Sequence, residues 1–465
     1  MTTVTEKRAR LSAATVARAG AAARPAYNRS ATPCIAHIGF GAFVRAHLAV
    51  YADEMLQSGH DALINGVSLH SQRPQEQLAP QDCYYSVAER EPGVALQLRV
   101  IGSVSSVTTG RSASLRALTA PDTRLVTLTI TEKGYDLDPA ELEHPDRPAS
   151  AAGMIALALH RRRTSGLEPP VIAALDNVSA NGTLLRSRIV EFAGCLEPDL
   201  PRWIEDTVPF PDSVVDRMVP AVSQRDLDEV STTLGLVDLG AVVTERHRSW
   251  VTTGHRWLEP WAEVGVELVP DTAPYERRKL WLLNGPHSAF AYCGLLAGHS
   301  TIASAAADDA LAGFVGRLVD DVLDVARLPD ALAPSDFAAD ALRRFKNAGL
   351  AHTCAQVGAD GSRKLPQRFA EVVAARLERG LDVTRFATVV AVWIAAAGGI
   401  DIRGSQLPAL EDPDAAALRK QRVKGADAVV GAALDGRFAP VFVVAVVRAL
   451  RDLIAHGVGV LAGPT

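Results

Sequence analysis

The feature that most constrains this chain is a five-residue apolar run, CIAHI (34–38), that stops at Gly39 and leads through GFGAFVRAH into an amphipathic stretch. An apolar run cut off by glycine and followed by helical spacing reads as a strand, a tight turn and a helix. Gly39 and Gly41 supply the first two glycines of a dinucleotide fingerprint. The first permits the tight turn. The second leaves no Cβ in the path of a pyrophosphate, which the N–H groups opening the helix would then meet. The third glycine position is Val44, so the fingerprint is incomplete. Gly39, Phe40, Gly41, Ala42 and Phe43, with Arg45 in the first helical turns, are the candidate cofactor contacts.

The rest of the first half repeats the pattern. The stretch 43–57 has helical spacing; 62–69 (ALINGVSL), 95–104 (ALQLRVIGSV), 124–135 (RLVTLTITEKGY) and 169–177 (PPVIAALDN) read as strands, and ASAAGMIALALHRRR as a helix. Strands alternating with helices imply βαβ units and a largely parallel sheet. After about residue 275 strand signals fade. Alanine- and leucine-rich helical segments follow at 279–297, 305–327, 335–346, 366–379, 384–397 and 439–456. The expected class is α/β: a Rossmann-like, mostly parallel domain over 34–274, then a mostly α-helical substrate and catalytic domain over 275–465, with 1–33 as an N-terminal leader. A length of 465 residues agrees with two cores rather than one.

Composition narrows the function classes. A net charge of -5 with both signs interspersed argues against nucleic acid and polybasic membrane contacts. No apolar run reaches the ~20 residues of a membrane span. The start of the chain is not read as a secretory signal, because it has no continuous apolar core and carries Glu6. Cys34, Cys83, Cys195, Cys293 and Cys354 are odd in number and widely spaced, which points to a reducing compartment and a cytoplasmic location. The histidines and cysteines show no metal-ligand spacing, so no metal is expected.

Chemistry concentrates in KLWLLNGPH. Lys279, Asn284 and His287 are five and three residues apart, which lets all three point to one cleft from a helix. A lysine of lowered pKa serves as a base toward an alcohol, an amide N–H stabilises an alkoxide, and an imidazole holds a neighbouring hydroxyl. The plain alternative is a surface lysine beside a capping asparagine. ALDNVSANG places Asp176 and Asn177 at the end of a strand, where open α/β sheets bind ligands and where turns also form. SVVDRMVPA places Asp216 and Arg217 between apolar residues, as a site or as a buried ion pair. No Asp or Glu stands directly at the end of the second strand, in SLHSQRPQEQ, where a ribose-binding acid is expected, and Arg73 is suited to a 2′-phosphate, so NAD and NADP both stay open.

In order, PAYNRS, HIGFGAFVRAH, APQDCYYSV, TLTITEKGY, ALDNVSANG, FPDSVVDRMVPA, YERRKLWLLNGPHSAFAYCGLLAG and ADGSRKLPQRF resemble the polyol-specific long-chain dehydrogenases, the mannitol dehydrogenase family, over nearly the whole chain. The resemblance implies a zinc-independent secondary-alcohol dehydrogenase using NAD, with NADP not excluded. It assigns Lys279 as general acid/base, Asn177 and Asn284 as the oxyanion-stabilising amides, and His287 as a partner of a substrate hydroxyl. Glu276 becomes a proton relay, and Asp216 and Lys364 lie near the substrate. Lys133 in TEKGY and Gln356 point to the fructuronate reductase (D-mannonate oxidoreductase) branch, with Lys133 as a carboxylate partner. The implied partner is therefore a sugar acid, or a polyol such as mannitol or arabinitol if the polyol branch applies, and the implied state is a monomer or small homo-oligomer. A nucleotide-binding protein without catalysis is the rival from another class. Val44, Thr253 and Thr353 depart from the family pattern and open the way to a divergent specificity.

Overall fold

The structure, a computed structural model, describes residues 8–20, 22–130 and 132–462, with the side chains of Lys133 and Ala462 outside the described part. The chain divides into two compact units, Met1–Ala273 and Pro274–Thr465.

In the first unit five strands form one sheet: β1 (Ile35–Ile38), β2 (Ile64–Ser68), β3 (Val104–Thr109), β4 (Leu125–Leu128) and β5 (Val171–Ala174). Their spatial order is β3-β2-β1-β4-β5, and every neighbouring pair is parallel. This is a Rossmann sheet. The order reverses direction between β1 and β4, and such switch points are where these sheets bind ligands. β1, β4 and β5 are buried at every residue, which explains why they read as continuous apolar runs rather than alternating ones. Ile35 packs into one core with Phe40, Val44 and Trp250, while Ala36 and Ile38 pack into another with Leu128, Ile155 and Phe192. The two cores are the two faces of the sheet.

A four-stranded sheet joins Ala22–Ala23, Gln97–Ile101, Tyr85–Glu89 and Val242–Thr244, and a three-stranded one joins Glu267–Val269, Ser249–Thr253 and Ser213–Asp216. Residues 8–33 of the expected leader contribute to the first of these: Ala22 and Ala23 pair with Leu98 and Arg99, and Leu11 is fully buried.

Three local expectations differ from the structure. The run 95–104 is two strands in two sheets, Gln97–Ile101 and the start of β3, separated at Gly102. Residues 124–135 are strand only through Leu128, and Glu132–Tyr135 is a 3-10 turn. The helix over 43–57 breaks at His47 (φ -115°, ψ -87°) into Ala42–Ala46 and Leu48–Gln57. At that break the buried His47 ring stacks on Phe43 and its Nε2 donates to the Ser249 carbonyl at 2.9 Å, a contact no local pattern encodes.

The second unit is helical. Its longer helices are Gly285–Leu296, Asp309–Leu323, Pro334–Phe345, Gly361–Glu378, Thr384–Gly398 and Pro440–His456. Thr384–Gly398 is buried from Phe386 onward, so its apolar residues run all round rather than along one stripe. Two further helices, Ala415–Gln421 and Ala426–Leu434, lie where no helix was expected. Among the described residues no helix is long and apolar enough to cross a membrane.

Candidate active site

The glycine turn at the end of β1 has the geometry its sequence predicts. Gly39 sits at φ +92°, and a Cβ there would lie 2.1 Å from the Thr129 carbonyl oxygen, so only glycine fits. At Gly41 a Cβ would meet nothing closer than the Gly39 oxygen at 4.0 Å. The space above that second glycine is thus left open. Phe40 is buried against Gly66 of β2, where a Cβ would be 2.4 Å from its ring. Val44, in place of the third glycine, is fully buried in the core beside Phe40.

A cavity of about 910 Å³ opens over this turn, and Gly39, Phe40, Gly41, Ala42 and Arg45 line it. Its size lies within the ~300–1,000 Å³ of ordinary ligand pockets. An open second glycine, helix N–H groups and a cationic wall fit a dinucleotide pyrophosphate. Arg45 is 9% exposed and donates from Nε to the Gly41 carbonyl (3.2 Å) and from Nη1 to the Gly240 carbonyl (2.8 Å). Phe43 is not among the lining residues; it turns to stack on His47.

Asp176 and Asn177 follow β5. The buried Asp176 carboxylate accepts from the Ile130 N–H (2.8 Å) and the Tyr135 hydroxyl (3.0 Å), bracketing the TEKGY loop. Its position is structural. Asn177 is exposed at the carboxyl edge of the sheet. The Lys133 side chain lies outside the described residues. Asp216 ends its strand buried, with Oδ2 3.2 Å from His247 Nε2.

Arg217 corrects an expectation. Its side chain has no exposure, and its guanidinium is taken up by the Glu245 and Ala46 carbonyls and by Glu89. With every nitrogen engaged in the interior, Arg217 holds the fold together rather than contacting substrate.

In the second unit the expected plain helix start is instead a change of pitch. The helix Ala273–Lys279 passes into a π-helical turn, Leu280–Asn284, before Gly285–Leu296 begins. Pro286 has no N–H for the carbonyl four residues back, and the Gly285 N–H reaches five residues back to the Leu280 carbonyl. Lys279 and Asn284, five residues apart, therefore bracket one π turn and share a face. Lys279 is buried, and Glu276 lies one helical turn before it.

The His287 ring stacks on Phe345 with centroids 4.8 Å apart, and its Nε2 is sealed from solvent, with no hydrogen-bond partner among the described residues. Burial holds its pKa well below the usual histidine value, and His352, Arg368, Arg344 and Lys364 push it the same way. His287 is therefore neutral. Lys364 donates to the Ala359 carbonyl at 2.7 Å. Arg368, which sequence reading passed over inside DGSRKLPQRF, donates to the Asn284 carbonyl (3.1 Å) and to Ser288 Oγ, pinning the end of the π turn. No spacing rule links positions 284 and 368. Thr353 and Gln356, two of the positions that set this chain apart, form a capping box: Thr353 Oγ1 accepts from the Gln356 N–H at 3.2 Å, and Gln356 Oε1 accepts from the Thr353 hydroxyl at 3.0 Å. Thr253 Oγ1 accepts from the Asp212 N–H at 3.2 Å. Among the described residues no three His, Cys, Asp or Glu side chains are grouped to hold a metal.

These features define a Rossmann-domain protein with a separate helical unit that carries a buried lysine. The family models for the mannitol dehydrogenase Rossmann domain and the mannitol dehydrogenase C-terminal domain match residues 33–260 and 271–437. The chain belongs to the mannitol dehydrogenase family and is an oxidoreductase of that family. It is 34% identical to the D-mannonate oxidoreductase of Escherichia coli K12, over 94% of this chain and 96% of that one. It is 29% identical to the polyol:NADP oxidoreductase of Gluconobacter oxydans, over 83% and 85%. The mannitol 2-dehydrogenase of Pseudomonas fluorescens, solved with NAD and D-mannitol, superposes with a TM-score of 0.89 at 29% identity, covering 97% and 98%.

Proposed function

We propose that this chain interconverts a keto-sugar acid and the corresponding sugar-acid alcohol, a reaction of the fructuronate reductase (D-mannonate oxidoreductase) type, with a nicotinamide dinucleotide and without a metal. The observation that carries this reading is the likeness to a D-mannonate oxidoreductase, 34% identical over 94% of this chain. Arg368, Arg344 and Lys364, which act on the His287 ring from the helical unit, are of the charge that a carboxylate-bearing substrate calls for.

Gly39, Phe40, Gly41, Ala42 and Arg45 would hold the dinucleotide, which would supply or accept a hydride at the carbon bearing the alcohol. Lys279 protonates the carbonyl oxygen in reduction and, when neutral, takes the proton back in oxidation. Glu276 relays that proton toward solvent. Asn284 and Asn177 supply amide N–H groups to the developing oxyanion. Neutral His287 partners a substrate hydroxyl, and Asp216, Lys364 and Lys133 bind the substrate.

A substrate panel with both reduced dinucleotides tests this. Turnover of fructuronate or tagaturonate with little turnover of fructose is the expected result. Fructose reduction would instead favour a polyol dehydrogenase, the reading supported by the likeness to the mannitol 2-dehydrogenase solved with D-mannitol. Dinucleotide binding with no turnover of any keto-sugar would leave only a nucleotide-binding protein.

A further inference from the structure

The cavity over the glycine turn has one wall whose charge is not balanced. Arg73 opens the helix Arg73–Leu78, just beyond β2, where Ser71 Oγ accepts its backbone N–H at 3.3 Å. It lines the cavity, and among the described residues its guanidinium makes no hydrogen bond or ion pair. Arg45 lines the same cavity, nine-tenths buried, with two carbonyls as its partners and no paired carboxylate among the described residues. The carboxylate that acts on it, Asp238, already accepts from the Ser86 N–H and hydroxyl, the Gln81 amide and the Gly240 N–H. Arg73 itself acts on Arg45 as a repelling charge. Two guanidiniums at one wall of a cavity, neither in direct contact with a carboxylate among the described residues, are a site suited to an anion.

Position in the sheet says which anion. The Rossmann pyrophosphate sits on the turn after the first strand, here Gly39–Ala42, and the adenosine ribose lies at the end of the second strand. That second strand is β2, which pairs with β1 up to Val67 beside Ile38. The cavity residues that follow it, Ser68, His70, Ser71 and Arg73 among them, include no Asp or Glu. The acids that line the cavity, Asp136, Asp138 and Glu141, follow β4 on the opposite side of β1. Glu141 is occupied by the N–H groups of Asp138, Ala149 and Ser150. The ribose corner thus lacks the acid that would bind a free 2′-hydroxyl and repel a phosphate. It presents instead an arginine suited to bidentate phosphate binding.

We propose that this chain selects NADP(H) over NAD(H), with Arg73 taking the 2′-phosphate and Arg45 supplying positive charge behind it. The proposal rests on the reading of the cavity as a nicotinamide dinucleotide site.

Equilibrium titration, without turnover, tests it with NADPH against NADH and with 2′,5′-ADP against 5′-AMP. The phosphorylated member of each pair is expected to bind roughly tenfold tighter or more, with a margin that shrinks as salt is added. Arg73→Ala collapses that margin by weakening the phosphorylated member, Arg73→Lys keeps part of it, and Ser71→Asp reverses it. Equal or tighter binding of NADH by the natural protein overturns the proposal while leaving the dinucleotide site standing. So does an Arg73→Ala variant that loses both dinucleotides equally, since the arginine would then hold the pyrophosphate. If neither dinucleotide binds, both readings fall.

Discussion

The turn after β1 and the π turn after Lys279 prepare for ligands by opposite means. At Gly39–Ala42 the preparation is an absence of side chain: one glycine lets the backbone turn beneath the Thr129 carbonyl, and the next leaves space for a ligand. At Lys279–His287 it is an accumulation of side chains, a buried lysine and a neutral imidazole set among Arg344, Lys364 and Arg368. The first region is governed first by steric room, with charge supplied from the cavity wall by Arg45 and Arg73. The second is governed by charge and proton position. Each therefore has its own way of failing.

The sharpest break is expected in the second region. Lys279→Ala removes the proposed acid/base and should lower turnover by roughly 10²–10⁴-fold, with a far smaller effect on dinucleotide affinity. Steady-state kinetics beside a dinucleotide titration check this. Near-normal turnover on a good substrate would remove Lys279 from the mechanism.

The glycine turn should break by fit. In Gly39→Ala a Cβ 2.1 Å from the Thr129 carbonyl oxygen, at φ +92°, forces the backbone apart, at an expected cost on the order of 2–4 kcal/mol. Gly41→Ala has room for its Cβ and should leave stability within about 0.5 kcal/mol, yet weaken dinucleotide binding. Denaturant unfolding and ligand titration of both variants separate the two roles. Equal loss of stability in the pair would contradict them.

Protons sharpen the contrast less than expected from chemistry alone, because both units hold neutral histidines. Burial lowers His37 and His47 in the first unit to about 3, and lowers His287 in the second. The unfolded chain then binds protons that the folded chain refuses. Stability from these groups is complete above the ordinary histidine value of about 6.5 and falls as pH drops toward 3, by roughly 1.4 kcal/mol per pH unit per histidine. Melting temperatures between pH 7 and pH 4 report this slope, and replacing His287 with glutamine should remove its share while leaving that of His37 and His47. A midpoint independent of pH in that range would mean these rings are charged.

The smallest expected effect concerns a position that sets this chain apart. Thr353→Ala removes the capping-box hydroxyl and should cost about 1 kcal/mol. If activity on uronates fell by orders of magnitude instead, Thr353 would be part of substrate recognition rather than a helix cap.

What was legible in the sequence was local. The strand–glycine–helix unit, the parallel sheet, the helical second half and the grouping of Lys279 with Asn284 all depend on periodicity and turn chemistry among near neighbours. The residues alone also show that no Asp or Glu stands in the seven positions immediately after β2, the first acid being Glu76. Tertiary structure decided what depends on distant partners: His47 breaks its helix against Ser249, Gly102 sends one apolar run into two sheets, and Arg368 reaches the carbonyl of Asn284. It also decided that Arg217 turns inward to Glu89 and Ala46 while Arg73 stands at the cavity wall without a side-chain partner among the described residues. A side chain's spacing says which face it occupies. Only the packed fold says which charges meet it there, and those charges separate a structural arginine from one left for a ligand.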